Sequence, residues 1–198
     1  MKGVKTENTS DFSINSELST SELEISQDEI CEEITINKDN KVSLIINSIS
    51  SILEKLINNK KQKKKDSNLK ELVKPFESKK IPDLSINDYL KRIIKYTNCE
   101  INSLIFSLIY LDRICLKNID LSPFNIHKFL FATILLAIKT NEDNIYRNSY
   151  YSQIAGVTLK ELNLMEYNLC IILNYNFFVN EKTFNVYKKA LKINIPYL

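Results

Sequence analysis

Two acidic residues, Asp112 and Glu166, fall inside stripes of apolar residues that recur at helical spacing. A carboxylate on a buried face is costly unless a cation or a hydrogen-bond donor meets it. The chemistry open to such residues is that of an internal brace or of a docking contact, and the source of the donor decides which. At about 100° per residue, Asp112 lies about 20° from Ile101, in line with Leu104, Ile105, Leu108 and Ile109. It is expected to be at least partly buried. Arg92, at the edge of the preceding helix's apolar face, is the expected bidentate partner, making a brace between adjacent helices. Removing one member of a truly buried pair costs on the order of 3–5 kcal/mol. Glu166 lies about 40° from Leu162, among Met165, Leu169 and Leu173. Two readings of it stay open: a half-exposed side chain with its head in water, or a carboxylate on a face that a partner covers. Lys139 closes another apolar helix, where a cation suits the helix dipole.

No other residues form a catalytic pattern. The only glycines are Gly3 and Gly156, so there is no glycine-rich phosphate loop. His127, the one histidine, has no nucleophile or acid beside it and is expected to be structural, at the start of a helix. Glu142 and Asp143 sit in an Asn-rich loop, where solvation or helix capping is the default. Tyr146, Tyr150 and Tyr151 are expected to pack rather than to stack on bases. Cys31, Cys99, Cys115 and Cys170 are widely spaced, with no C-x-x-C pair, so no metal site is expected. They read as reduced, small hydrophobes of an intracellular protein, in nucleus or cytoplasm. No catalytic residue and no cofactor is assigned, and the chain is read as a non-enzyme.

The elements that position these residues are helical. With 2 Gly and 4 Pro in 198 residues, turn punctuation is too sparse for a many-stranded fold. No signal peptide is expected of MKGVKTENTS, and no apolar run nears the ~18 residues of a membrane span. The net charge of +3 divides unevenly: residues 1–40 hold three Lys against ten Asp and Glu, a net of −7, leaving +10 on the rest. That body charge keeps nucleic-acid binding open without requiring it. Residues 1–40 read as a disordered acidic tail. Residues 41–59, with Val42, Ile45, Ile46, Ile49, Leu53, Leu56 and Ile57, read as an amphipathic helix of roughly four turns. Residues 60–80 form a basic linker whose Lys60–Lys65 block is a solvated helix end or, more sharply, a nuclear-localisation signal. Residues 81–180 hold five helices. Ser85 caps the first, Ile101 to Leu116 is the second, and the third is apolar all round from Phe129 to Ile138. The fourth, Asn148 to Ala155, ends at Gly156, and Thr158 with Glu161 opens a fifth that runs to about Tyr175. Residues 181–198 carry a short last helix and a tail.

The segments SINDYLKRIIKYTNC, SLIYLDRI, NIHKFLFATILLAIKTNED, YRNSYYSQIAGVTLKELNLMEYNL and LNYNFFVNEKTF resemble successive parts of a cyclin box. The likeness is to the P-type (also called U-type) cyclins and runs from about Val42 to about Leu191. The resemblance implies an all-α cyclin fold with a single five-helix box, preceded by the amphipathic helix and followed by the short one. It implies a regulatory subunit that forms a heterodimer with a cyclin-dependent kinase and holds the kinase's C-helix in the active position. By the same resemblance, Lys139 and Glu166 are the kinase-binding residues, and Arg92 with Asp112 is the family's brace. A substrate or inhibitor protein is a further expected partner, and no membrane is. YLKRIIK stands where A-type cyclins have Met-Arg-Ala-Ile-Leu, the sequence of their substrate-docking patch. Two alternatives stay open: a cyclin-fold, transcription-factor-like module that binds nucleic acid, and a scaffold that binds a kinase without activating it.

Overall fold

In the computed structural model, residues 27–58 and 69–191 are described, with side chains in the first helix described from Asn40 onward. In chain order the helices are α1 (Gln27–Asn58), α2 (Lys70–Val73, running into a 3₁₀ turn Lys74–Phe76), α3 (Ile86–Thr97), α4 (Ile101–Leu116), α5 (Ile126–Asn141), α6 (Asn148–Ala155), α7 (Leu159–Ile172) and α8 (Glu181–Ala190). No strand occurs among the described residues. Residues 1–37 and 38–198 form two separate units. Of the first, only the helical backbone from residue 27 is described. The Lys60–Lys65 block lies outside the described residues.

The helix that is apolar all round is the one the others enclose. Every residue of α5 from Phe129 to Ile138 is buried. Its broadest contact is with α4, and α3, α6, α7 and the 3₁₀ turn also pack on it. Phe76 of that turn stacks on Phe129 with ring centroids 4.0 Å apart. α4 is buried over most of its circumference, from Ser103 to Leu111 apart from Phe106. Its two buried serine hydroxyls are both satisfied, Ser107 by the Leu104 carbonyl and Ser103 by Glu142. α1 contributes Ile45, Ile46, Ile49, Leu53 and Ile57 to the core, while Leu56, expected on the same face, is half exposed.

Local signals set most helix ends. Ser85 Oγ accepts from the Asp88 amide at 3.0 Å, and Thr158 Oγ1 accepts from the Glu161 amide at 3.2 Å. Both bonds satisfy an amide that has no partner within its own helix. Gly156 ends α6 at φ 73°, the left-handed conformation that costs glycine least. α7 stops at Ile172, short of Tyr175, because Asn174 and Tyr175 both turn left-handed. The Tyr175 amide then donates back to the Cys170 carbonyl at 2.9 Å. Two elements differ from expectation. α1 reaches back to Gln27, and α2 with its 3₁₀ turn occupies part of the stretch read as linker. Asn168, buried on α7, donates to the Leu72 carbonyl at 2.9 Å and so anchors α2.

Candidate functional site

Lys139 leaves the last turn of α5 just where that helix emerges from its neighbours, and Glu166 stands in the middle of α7. Packing of α7 against α5 brings them together: Lys139 Nζ donates to Glu166 Oε1 at 2.6 Å. The side chains are 26% and 21% exposed, so the pair is neither sealed in the core nor free in water. Asn148, the first residue of α6, completes the arrangement. Its Nδ2 donates to Glu166 Oε2 at 2.8 Å and to Asn163 Oδ1 at 2.8 Å. Three helices thus fix one carboxylate through both of its oxygens. The Lys139 ammonium has three donors and spends one on Glu166, and the carboxylate keeps lone pairs beyond its two bonds. Held this way, the pair can offer N–H groups to a carbonyl, and oxygens to an amide, of a second chain.

Cys170 lies one turn beyond Glu166, and burial, followed by the Glu166 charge, pushes its thiol above the ordinary range. A thiol held protonated is a poor nucleophile. Among the described residues, no three His, Cys, Asp or Glu side chains gather as a metal-binding group. None of the described helices is long and apolar enough to cross a membrane.

The Arg92–Asp112 brace does not form. Asp112 is exposed, and its Oδ2 accepts from the Tyr187 hydroxyl of α8 at 2.8 Å. Arg92 Nη2 donates instead to the Gln153 carbonyl at the end of α6, 3.0 Å away. The physical reason lies in α4. Ile101, the reference for the stripe, is itself only half buried, so a residue aligned with it sits at the rim of the core. α8 packs on that rim and supplies the donor. Burial first, and then the Asp112 bond, push the Tyr187 hydroxyl up to about 12, so it stays a donor at neutral pH.

The remaining polar residues have structural partners. Glu142 Oε1 accepts from the Glu100 amide at 3.0 Å and from the Ser103 hydroxyl, so this carboxylate caps the start of α4. A carboxylate there also suits the positive end of the helix dipole. His127 is at the start of α5, with Nε2 at 2.8 Å from the Leu84 carbonyl. A carbonyl only accepts, so Nε2 carries the proton and the buried Nδ1 is left as a bare lone pair. Sequence reasoning missed Asn148, Tyr187 and the segment after α7. Arg113 donates to the Asn176 and Phe178 carbonyls at 2.7 and 2.8 Å, fixing that segment with Phe178 78% exposed. Tyr175, Tyr167 and Leu164 are also exposed on α7 or just after it.

Comparison with known proteins supplies the family. Residues 28–177 match the family model described as Cyclin. Cyclin-U4-1 of Arabidopsis thaliana is 30% identical over 153 residues, covering 76% of this chain and 76% of that protein. Cyclin-U2-1 of Arabidopsis thaliana is 30% identical over 75% of this chain and 68% of that protein. Cyclin-P4-1 of Oryza sativa subsp. japonica is 30% identical over 64% of this chain and 60% of that protein. An all-helical fold around an enclosed α5 and similarity to both U-type and P-type relatives lead to one conclusion: the chain belongs to the cyclin family.

Proposed function

We propose that this chain is the regulatory subunit of a cyclin-dependent protein kinase and has no chemistry of its own. The observation that carries the reading is the Lys139–Glu166 pair, held by three helices and left partly open, in a chain of the cyclin family. Its polar groups would meet the backbone and side chains of the kinase's C-helix and of the loop before it. Tyr175 and Phe178, exposed on a segment that Arg113 immobilises, would add apolar contact. Kinase chemistry requires the C-helix glutamate to pair with the lysine at the ATP phosphates. A rigid partner that binds only the C-helix-in state shifts the kinase towards activity by its differential affinity. The same reading places the chain inside the cell, in nucleus or cytoplasm.

Co-expression with a cyclin-dependent kinase tests this. A complex that survives gel filtration and phosphorylates substrate supports activation, whereas a stable but inactive complex supports a scaffold. Lys139→Glu with Glu166→Lys can re-form the internal ion pair with its polarity reversed. The doubly substituted chain should keep most of its melting temperature yet bind the kinase about 10–100-fold more weakly. Unchanged kinase affinity would show that the pair serves the fold alone. The +10 charge of residues 41–198 favours a second reading, a module that binds nucleic acid. Salt-dependent retention of generic DNA, with no kinase complex, would establish it.

A further inference from the structure

The turn between α4 and α5 carries a residue pair that the Lys139–Glu166 site does not use. The residues before the four prolines are Lys74, Ile81, Ser122 and Ile195. Ser122–Pro123 is therefore the only place in the chain where a hydroxyl residue precedes proline. Proline biases the residue before it towards an extended backbone. Kinases that select proline at this position take their acceptor serine or threonine in an extended chain.

The Ser122 hydroxyl also stands apart from the bonds of the fold. Ser85 and Thr158 spend their hydroxyls on helix caps, and those of Ser107 and Thr133 are buried and bonded. Ser122, partly exposed, is held through its backbone instead. Its amide donates to Asn125 Oδ1 at 2.8 Å, and its carbonyl accepts from the Asn125 and Ile126 amides at 3.1 and 3.0 Å. Among the described residues its hydroxyl makes no hydrogen bond, and it is not sealed from solvent. The three backbone bonds lie where a helix begins, and helix ends fray.

The same turn seats the strap formed by α2 and its 3₁₀ turn. The Ser78 amide donates to the Phe124 carbonyl at 2.9 Å, and Asn125 Nδ2 donates to Glu77 Oε1 at 3.3 Å. Lys128, in the first turn of α5, holds the strap as well. Its Nζ donates to the Pro75 and Glu77 carbonyls at 3.2 and 3.0 Å and pairs with Glu161 at 2.7 Å. An ammonium has three donors, so Lys128 has none to spare. A phosphate on Ser122 would add a charge of about −1.5 to −2 next to the residue that binds Glu77. It either repels the Glu77 carboxylate or draws Lys128 from the strap's carbonyls. Both outcomes loosen the strap.

We propose that Ser122 is a phosphorylation site for a proline-directed protein kinase and that its phosphate loosens the α2–3₁₀ strap. In that step Ser122 Oγ bonds to the γ-phosphorus of ATP as the bond from that phosphorus to the bridging oxygen breaks. ADP leaves, and the hydroxyl proton passes to the base of the modifying kinase.

The test incubates the full chain with a purified mitogen-activated protein kinase and magnesium ATP, beside a peptide of residues 117–128 as the unfolded control. Mass spectrometry should place phosphate on Ser122 of the full chain. Ser122→Ala and Pro123→Ala should each abolish that phosphate, with melting temperatures showing that both variants fold. Exchange of the Ser78 amide should quicken about threefold or more on phosphorylation and stay unchanged in unphosphorylated Ser122→Ala. Refusal of the full chain, whether or not the peptide is accepted, would overturn the proposal. So would phosphate placed only on other residues, or Ser78 exchange that phosphorylation leaves unchanged. The chain is here a substrate, so failure leaves the regulatory-subunit reading standing.

Discussion

The end of α4 and the middle of α7 each carry a carboxylate on an apolar stripe of the sequence, and they meet its demand in opposite ways. Asp112 stands near the end of its helix, in line with the half-buried Ile101, and lies at the rim. One hydroxyl, from Tyr187, and water then suffice. Glu166 has helix on both sides of it and neighbours packed on two flanks. It is met by Lys139 and Asn148, and both of its oxygens are engaged. The lesson concerns position along an element as well as angle around it. A polar residue at a helix end can leave the core, whereas one in the middle must be supplied within it or by a partner.

The largest expected effect separates these two residues directly. Glu166→Ala strands Lys139 and Asn148 half buried and should lower stability by about 1–3 kcal/mol. Asp112→Ala should cost only about 0.5–1 kcal/mol, since Tyr187 regains water. Urea unfolding of both variants reads the difference, and equal losses would break the contrast. Next comes a double-mutant cycle. Tyr187→Phe should mimic Asp112→Ala, and the double variant should lose little more than either alone. Full additivity would mean that the hydroxyl and the carboxylate act separately. The smallest effect concerns His127, where burial lowers the pKa below the ordinary 6.5 and protonation would place an N–H at a buried, partnerless Nδ1. The folded state then binds fewer protons than the unfolded one. The stabilisation is complete above pH 6.5 and is lost as pH falls towards the folded-state pKa. Melting temperature should decline from pH 7 to about pH 5, and His127→Gln should flatten that decline.

Much of the fold was legible in the sequence because helix signals are local. The caps at Ser85 and Thr158 need only their own first turn, and α5 declares its enclosure through an unbroken apolar run. Lys139 and Glu166 were legible as residues out of place, and family resemblance supplied their expected role. Their partners were harder to read. Asn148 joins Glu166 from another helix, and Tyr187 meets Asp112 across 75 positions. Such meetings depend on how helices rotate as they pack, which periodicity does not encode. The expected Arg92 brace failed for a related reason: a backbone carbonyl, which every residue carries, was the acceptor.

The Glu142 cap has a mechanical consequence. α4 and α5 are joined covalently at one end by residues 117–125. At the other end the Glu142 side chain, just past α5, grips the first turn of α4 through the Glu100 amide and the Ser103 hydroxyl. The two helices thus form a ring closed by chemistry at both ends, like a frame with a latch. Lys139 sits one turn inside the latch, so its station on the surface is set by the helix before its own, through a residue that takes no part in the pair.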